Sequence, residues 1–499
     1  MNFFFQYKYI IALVAGSILP FSFAPFNFFL ISPISLSILF LLWIRSEQIV
    51  AFRLGFIFGF ASFSIGLYWL YISIHHFGGV NELFSLFLLF CLISILSFYI
   101  GFIGWFCKKF FRVSDHIYLL FIFPLGWTLV EWLRGWLFSG FGWLSLGYSQ
   151  SDSWIMSLAP VGGLHLMSLS VLITAGGLSV FLIGGNKYRL ISVLSLASIW
   201  GTAFFLEGYQ WTKPSGSTYS VSIVQGSISQ DLKWRSDYLA PTLDLYRDLI
   251  FQSGDSSLII LPEVALPIPY EQAKEYLDEL KSWSKENDSL IMLGILKRNY
   301  SDNNYFNALV SLDDQESFYA KKHIVPFGEY MPLPDFAKLW VRKLNLPYSE
   351  LSKGPSKQEP IFFKNEKAAI SICYEDVFGA EQLHYFPEST FLINLTNDAW
   401  FGDSIAPHQH LQISKVRAAE VGRFILRSAN TGISAIINQE GEVINFSPQF
   451  EPYILKGEFS GFEGMTFFSY VGNKLVITLS FLFLIFFYFA TKFNIRLGT

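Results

Sequence analysis

The sequence predicts a multi-span α-helical membrane protein that carries an extracytoplasmic α/β domain. Hydrophobic residues make up 52% of the 499 residues and charged residues only 15%, against roughly 25% charged in an ordinary soluble domain. The charge is also unevenly spread, because residues 1–206 hold only 14 of the 74 charged side chains. Apolar runs of nearly membrane-spanning length fill that first part, whereas the rest shows an alternation of strand-like and helix-like stretches.

Composition also excludes several classes of protein. A mean hydropathy of +0.40 together with 54 Phe excludes an ordinary cytosolic enzyme and a disordered chain. The formal net charge of −4 leaves no basic surface that could neutralise phosphates, so we expect the lipid bilayer, and no nucleic acid, as a partner. The cysteines are too few for a disulfide framework, since the chain has only Cys91, Cys107 and Cys373.

Eight apolar segments are candidates to cross a bilayer, which takes about 20 mainly apolar residues per helix. Seven precede the charge-rich part of the chain and one lies near its end. Their approximate bounds are 9–24, 26–44, 54–74, 84–106, 117–137, 160–184, 190–206 and 475–491. A cleaved signal peptide is the alternative interpretation of the first segment, because small residues lie at Ser22 and Ala24.

Basic residues fall in alternate connections between these segments, and cytoplasmic loops are the ones enriched in Lys and Arg. The pattern places both termini in the cytoplasm and the charge-rich block outside, with only Arg134 near the opposite side. The cytoplasmic basic residues are Lys8, Arg45, Arg53, Lys108, Lys109, Arg112, Lys187, Arg189, Lys492 and Arg496. The predicted organisation is a membrane domain over 1–206, a linker over 207–218, an extracytoplasmic domain over 219–470, and an eighth transmembrane helix with a cytoplasmic tail over 471–499.

The extracytoplasmic block shows short β-rich runs that alternate with polar, helix-like stretches such as 236–253 and 270–285. About 250 residues are enough to bury one sizeable core, so we expect a single α/β domain. The β-rich runs are 219–225, 257–261, 290–295, 368–373, 391–395 and 432–438.

Three reactive side chains follow strand-like runs in this block. Glu263 ends the apolar run 257–263, where open α/β sheets place ligands, although a solvated loop carboxylate is the alternative. Lys321 lies in a turn closed by proline and glycine, and an ordinary basic surface loop would have the same pattern. Cys373 ends the third run beside acidic and aromatic residues. We therefore regard all three as candidate catalytic residues.

Cys373 admits two interpretations. A lone cysteine in an apolar strand is usually inert core packing. Here the domain is extracytoplasmic and has no other cysteine, and an unused thiol would risk oxidation there, which favours a nucleophile. A metal site is a weaker hypothesis, because no Cys/His zinc spacing surrounds the candidate histidines His75, His76, His408 and His410.

Glu263, Lys321 and Cys373, in that order and each after a strand, resemble the catalytic Glu–Lys–Cys set of the nitrilase superfamily, which implies an α-β-β-α sandwich. Within it, the chain resembles the apolipoprotein N-acyltransferase family, whose layout is seven spans, a nitrilase-like domain and one closing span. The matching stretches are Glu131–Phe141, Val224–Gly226 with Trp234, Tyr319–His323, Pro326–Tyr330, Ile372–Glu375 and Asn397–Gly402. The chain departs from the family pattern, with consequences for local packing, at Gly142, Leu261 and Val264.

The resemblance implies transfer of an acyl chain from a phospholipid to the α-amine of the diacylglyceryl cysteine of apolipoproteins, without cofactor or metal. Cys373 would carry the acyl group as a thioester in a ping-pong mechanism, with Glu263 as general base. Lys321 and a backbone N–H contributed after Cys373 would stabilise the oxyanion. The resemblance also implies a bacterial inner membrane with a periplasmic catalytic domain. It assigns supporting roles to Glu329 and Glu375, which orient Lys321 and the acceptor amine, and to Trp234 and Tyr374, which line the acyl site.

Two further features have alternative interpretations. Phe336, Trp340 and Leu344 lie at helical spacing, which fits either a mobile lid that contacts lipid or a helix packed on the domain's own core. Glu131 and Arg134 lie within an apolar segment, where ionisable groups are costly and indicate function or pairing. They fit equally well at the membrane edge, within a belt of tryptophans.

Two other functions agree with parts of the sequence. A membrane-tethered amidase for small amides would share Glu263, Lys321 and Cys373, but it leaves the eight spans and the stretch 131–143 unexplained. A transporter or receptor with an outer binding domain is disfavoured, because the spans hold few polar residues and show no obvious inverted repeat or midplane ion site.

Overall fold

The computed structural model describes residues 6–332 and 350–493, which form two compact units. The helical unit holds the described residues up to Leu70, together with Leu83–Tyr209 and the described residues from Phe467 onward. The α/β unit holds the described part of Gln210–Thr466 and a short segment from the first half of the chain, Tyr71–Glu82.

The helical unit is built from apolar helices of very different lengths. In chain order the principal helices are α1 (Lys8–Ile18), α2 (Ile31–Ile44), α3 (Gln48–Gly66), α4 (Glu82–Phe110), α5 (Phe123–Arg134), α6 (Ala159–Ile183), α7 (Asn186–Leu206) and the last helix, Lys474–Lys492. Within residues 6–332 and 350–493, six helical segments are long and apolar enough to cross a membrane. They are Gln48–Gly66, Glu82–Phe110, Asp115–Arg134, Trp154–Ile183, Asn186–Leu206 and Lys474–Lys492.

The first two predicted spans coincide with shorter apolar segments, Lys8–Ser22 and Ile31–Ile44. The first of these is interrupted because α1 passes into a 3₁₀ turn, Leu19–Ser22, around Pro20. Proline has no backbone N–H to continue the helical hydrogen bonding. The eight-span layout stays a prediction.

Glu131 and Arg134 are both buried within the helical unit. Arg134 donates from Nη1 to the Trp143 carbonyl at 2.7 Å and from Nη2 to Ser145 Oγ at 3.1 Å. The Leu146 N–H donates to Glu131 Oε2 at 3.0 Å. The pair therefore holds the segment after α5 against the end of that helix.

The α/β unit contains two sheets. The strands are β1 (Lys213–Gln225), β2 (Leu258–Ile260), β3 (Leu266–Pro269), β4 (Leu290–Arg298), β5 (Tyr305–Ser311), β6 (Ser317–Ala320), β7 (Ile361–Phe363), β8 (Glu366–Ile372), β9 (Phe391–Thr396), β10 (Ile425–Ala429), β11 (Ala435–Ile437), β12 (Val443–Phe446) and β13 (Tyr453–Glu463). The first sheet has the order β13-β1-β2-β4-β5-β6, with β3 on β4, and the second sheet has the order β12-β11-β10-β9-β8-β7.

The two sheets pack face to face, and helices cover their outer faces. The first sheet therefore has an apolar core on each face, and successive side chains of β2 point into one core and then the other. Leu258 and Ile260 face the second sheet, whereas Ile259 faces the helices α8 (Ser236–Phe251) and α9 (Lys274–Glu286). On the other side, helix α10 (Ala406–Val421) packs against the second sheet. These layers form the predicted α-β-β-α sandwich, so the predicted fold class is confirmed.

Two segments lie differently from the sequence expectation. The predicted linker 207–218 contains the start of β1, because Lys213 and Pro214 already pair with the end of β13 before a register shift. Tyr71–Glu82, expected in the membrane domain as the end of the third span and the connection to the fourth, belongs to the α/β unit instead. Its Ser73 hydroxyl donates to the Trp400 carbonyl at 2.7 Å, which anchors the loop after β9.

Candidate active site

Each of the three candidate catalytic residues lies where a strand ends. Glu263 follows β2 by a short extended stretch, and Lys321 directly follows β6 in the same sheet. Cys373 directly follows β8 in the second sheet and begins a 3₁₀ turn, Cys373–Val377. The site is therefore assembled from both sheets of the sandwich.

Lys321 is 1% exposed and lies between two carboxylates. Its Nζ is 2.9 Å from Glu329 Oε1 and 3.3 Å from Glu263 Oε1. Asn307, on β5, donates from Nδ2 to the same two oxygens, at 2.7 Å to Glu263 and 3.1 Å to Glu329. The lysine and the asparagine thus fix the positions of both carboxylates.

Charge and burial set the resting protonation of these groups. Burial lowers the pKa of Lys321, but the carboxylates of Glu329 and Glu263 outweigh burial and raise it above the ordinary lysine value. Burial raises the pKa of the Cys373 thiol, Glu263 raises it further, and Lys321 partly counteracts both. The thiol therefore rests protonated beside a permanent ammonium group, and it needs a base before it can act as a nucleophile.

Cys373 has a left-handed backbone conformation, with φ of +51°. A non-glycine residue costs of order 1–3 kcal/mol in such a sparsely populated region, so the surrounding contacts must hold it there. A sharp turn directly after β8 is what places the side chain at the strand end.

Glu375 connects the turn after Cys373 to the turn that carries Lys321. Its buried carboxylate accepts hydrogen bonds from the backbone N–H groups of Lys322 at 2.7 Å, His323 at 3.0 Å and Ile372 at 2.8 Å. Burial raises the pKa of this carboxyl above its usual range, although these N–H donors counteract it. The predicted contact of Glu375 with an acceptor amine stays a prediction.

The other predicted site residues lie around this centre or outside the described part of the chain. Trp234 is 54% exposed, directly after the buried Lys233. Tyr374 is buried, and its ring packs on Phe378 with centroids 5.0 Å apart. The hypothesis of a lid or lipid contact rests on residues outside the described ranges, namely Phe336, Trp340 and Leu344.

Sequence reasoning missed two buried side chains of the site, Asn307 and Lys233. Asn307 lies inside a strand, and nothing in its sequence context distinguishes it from an ordinary polar strand residue. Lys233 donates from Nζ to the backbone carbonyl of Glu263 at 3.2 Å. Its position next to Trp234 in a stretch already singled out was the available signal.

Lys233 should make stability depend on pH. Burial lowers its pKa to about 8, although the Glu263 carboxylate acts in the opposite direction. A lysine in the unfolded chain titrates near 10.4, so above pH 8 the unfolded state binds more protons and the free energy of unfolding rises with pH. Relative to Lys233→Met, the protein should gain about 1.5 kcal/mol between pH 8 and pH 9.5. Thermal unfolding in detergent across this range measures the difference, and parallel pH profiles would contradict it.

Two family models match this chain, one before and one after residue 200. The apolipoprotein N-acyltransferase N-terminal domain matches residues 15–177, and carbon-nitrogen hydrolase matches residues 220–460. The apolipoprotein N-acyltransferase of Methylococcus capsulatus is 37% identical over 465 residues, which cover 93% of this chain and 92% of that relative. The chain belongs to the apolipoprotein N-acyltransferase family.

Other members of the apolipoprotein N-acyltransferase family give the same result. The relative from Nitrosomonas europaea is 39% identical over 478 residues, covering 95% of each chain. The relative from Coxiella burnetii is 37% identical over 459 residues, covering 92% of this chain and 95% of its own. The predicted family is confirmed, and so is the prediction that the protein is a membrane-bound acyltransferase.

Proposed function

We propose that this protein transfers an acyl chain from a phospholipid to the α-amine of the diacylglyceryl cysteine of apolipoproteins, through a thioester on Cys373. The observation that carries the proposal is the position of Lys321 Nζ between Glu263 and Glu329, beside a protonated thiol. Membership of the apolipoprotein N-acyltransferase family supports the acceptor class. No cofactor takes part in the proposed reaction.

The first half-reaction forms the thioester. Glu263 removes the thiol proton as the Cys373 sulfur attacks the ester carbonyl carbon, and the electron pair moves onto the carbonyl oxygen. Lys321 and the backbone N–H of Tyr374 donate to this oxyanion. The tetrahedral intermediate collapses, the C–O bond breaks, and Glu263 returns the proton to the departing lysophospholipid alcohol.

The second half-reaction transfers the acyl group to the acceptor. The neutral α-amine attacks the thioester carbon while Glu263 accepts a proton from the nitrogen. The C–S bond then breaks, and Lys321 stabilises the departing thiolate until Glu263 protonates it. One ester is consumed, one amide is formed and the enzyme returns to its starting state, which is the ping-pong sequence.

Attachment to a membrane suits these two substrates. Each would have to leave the bilayer to reach a soluble enzyme, at a cost of roughly 0.8 kcal/mol per CH₂. We propose that both termini lie in the cytoplasm of a bacterial cell and that the α/β unit lies on the periplasmic face of the inner membrane. The exposed indole of Trp234, next to the buried Lys233, is available for an acyl chain near Glu263.

Intact-protein mass spectrometry tests the proposed function. Purified protein incubated with phospholipid and no acceptor should gain the mass of one acyl group on the peptide that contains Cys373. Hydroxylamine should remove it, and so should a diacylglyceryl-cysteine peptide as acceptor. Cys373→Ser should lack this hydroxylamine-labile adduct, whereas Cys91→Ser, in α4, should keep it. An unmodified Cys373 in folded protein with excess phospholipid would overturn the proposal and favour a small amide as substrate.

A further inference from the structure

A cluster of buried ionisable side chains lies against the backbone of Cys373 and has no role in the reaction proposed above. Asp398 follows β9, His410 lies on α10 and Arg427 lies on β10, and all three side chains are fully buried. Asp398 Oδ1 is 2.8 Å from His410 Nδ1, and Asp398 Oδ2 is 3.0 Å from Arg427 Nη2. The other ring nitrogen, His410 Nε2, lies 3.3 Å from the backbone carbonyl oxygen of Cys373.

Both of these neighbours of His410 are hydrogen-bond acceptors. Burial raises the pKa of Asp398, but His410 and Arg427 outweigh burial and hold it below the usual value, so Asp398 is a carboxylate. A backbone carbonyl likewise can only accept. With Asp398 at Nδ1 and the carbonyl of Cys373 at Nε2, the His410 ring meets a hydrogen-bond acceptor at each of its nitrogens. The contact of His410 with Asp398, which Arg427 in turn holds in place, fixes the orientation of the ring.

The carbonyl that His410 holds belongs to the peptide unit that joins Cys373 to Tyr374. A trans peptide is planar, and its C=O and N–H point in opposite directions. Fixing the direction of the carbonyl therefore fixes the direction of the Tyr374 N–H. An external restraint matters here because Cys373 has a strained, left-handed φ of +51° that its own backbone preference does not maintain.

We propose that His410, held by Asp398 and Arg427, donates from Nε2 to the Cys373 carbonyl and is thereby a positioning residue that aims the Tyr374 N–H at the oxyanion of the tetrahedral intermediate. The inference rests on the proposed function, because it assumes that an oxyanion forms beside Cys373. A hydrogen bond to the carbonyl also polarises the peptide unit, which makes its N–H a stronger donor. His410 acts through the peptide group and does not contact the substrate.

Two amide variants separate the two hydrogen bonds of His410. The amide nitrogen of asparagine lies near the position of Nδ1, so His410→Asn keeps a donor for Asp398 and loses the donor for the Cys373 carbonyl. The amide nitrogen of glutamine lies near the position of Nε2, so His410→Gln keeps the donor for the carbonyl. Both variants replace the imidazole ring with a neutral amide, which makes each the control for the other.

The test compares acylation with alkylation of Cys373 in the full-length protein. The acylating probe is p-nitrophenyl acetate, whose burst of nitrophenol requires an oxyanion, and the alkylating probe is iodoacetamide, whose reaction forms none. Removal of one oxyanion donor costs about 10²–10³ in rate. We expect the burst rate of His410→Asn to fall about 10²-fold and that of His410→Gln to stay within about 10-fold. Both variants should be alkylated at the rate of the unmodified protein.

Three results would overturn the inference. They are an equal loss of burst rate in the two variants, an unchanged burst rate in His410→Asn, and a fall in alkylation that parallels the fall in acylation. The last result would indicate that His410 acts on the thiol or on folding. The activated ester needs no phospholipid, so a normal burst without acylation by phospholipid would contradict only the proposed function. Wild-type protein without any burst would contradict both.

Discussion

Lys321→Met should lower kcat about 10³-fold and destabilise the α/β unit in the same variant. The lysine is expected to donate to the oxyanion in the first half-reaction and to stabilise the departing thiolate in the second, so its loss removes stabilisation of each transition state. It is also the cation between Glu263 and Glu329, which it contacts at 3.3 and 2.9 Å. Removing one member of a buried ion pair typically costs about 3–5 kcal/mol, because the remaining charges are left uncompensated.

Acyl-enzyme formation and thermal unfolding should both be measured on this variant. Lys456→Met is the matched control, because Lys456 contacts Asp255 at 2.7 Å on the exposed face of β13. An exposed ion pair contributes about 0–1 kcal/mol, so the control should keep its activity and nearly all of its stability. Retained acylation in Lys321→Met would refute the proposed role of the lysine, whereas retained stability would refute the argument from the buried ion pair.

Glu375→Gln should be similarly damaging, although Glu375 is not expected to react. The carboxylate accepts from three backbone N–H groups and from the Tyr319 hydroxyl, which lies 2.9 Å from both of its oxygens. A glutamine has one acceptor oxygen and an NH₂ group, so whichever way it is turned, donors face donors. The less damaging orientation turns the NH₂ toward the Ile372 N–H and leaves these two buried donors facing each other. Each buried donor left unsatisfied costs about 1–3 kcal/mol, so we expect a loss of at least about 2 kcal/mol.

Activity should fall with stability in Glu375→Gln, because this carboxylate joins the turn of Lys321 to the turn of Cys373. We expect acyl-enzyme formation to slow about 10²-fold, the cost of displacing one oxyanion donor. Tyr319→Phe keeps the ring and removes only one donor, so its loss should be about 1–2 kcal/mol with acylation nearly intact. Equal effects in the two variants, measured by thermal unfolding and burst kinetics, would show that the backbone contacts of Glu375 are unimportant.

The strands that the sequence predicted best are short and mainly apolar. The run 257–261 corresponds to β2, and 391–395 corresponds to β9, each within about two residues. Such strands are buried on both faces, so composition alone identifies them. The strand β13 has a much weaker signal, because it alternates exposed and buried positions and contains Gly457 and Gly461. Its partner β1 begins in a Ser/Gly stretch that is typical of a linker, and only the pairing of the two reveals either full length.

The candidate site likewise contains residues that a local sequence pattern indicates and residues that only the fold brings together. Glu263, Lys321 and Cys373 each end a strand, which is a local pattern, and so the sequence indicates them. Asn307 becomes part of the site only because the sheet places β5 beside the loop after β2, and the residue itself carries no local signal. His410 was visible in the sequence but suggested a weak metal hypothesis, since the sequence does not show that Asp398 and a backbone carbonyl are its neighbours.

The α/β unit is discontinuous along the chain, and this affects how it can be made. Tyr71–Glu82 leaves the ribosome before the whole of Leu83–Tyr209, and only then does Gln210–Thr466 follow. At about 5–20 residues per second, the early segment waits tens of seconds for the loop that it anchors through Ser73 and Trp400, because 327 residues separate the two. A gene fragment that encodes residues 210–466 alone omits that early segment. Severing the chain once near residue 210 therefore yields an α/β unit that lacks one of its own parts.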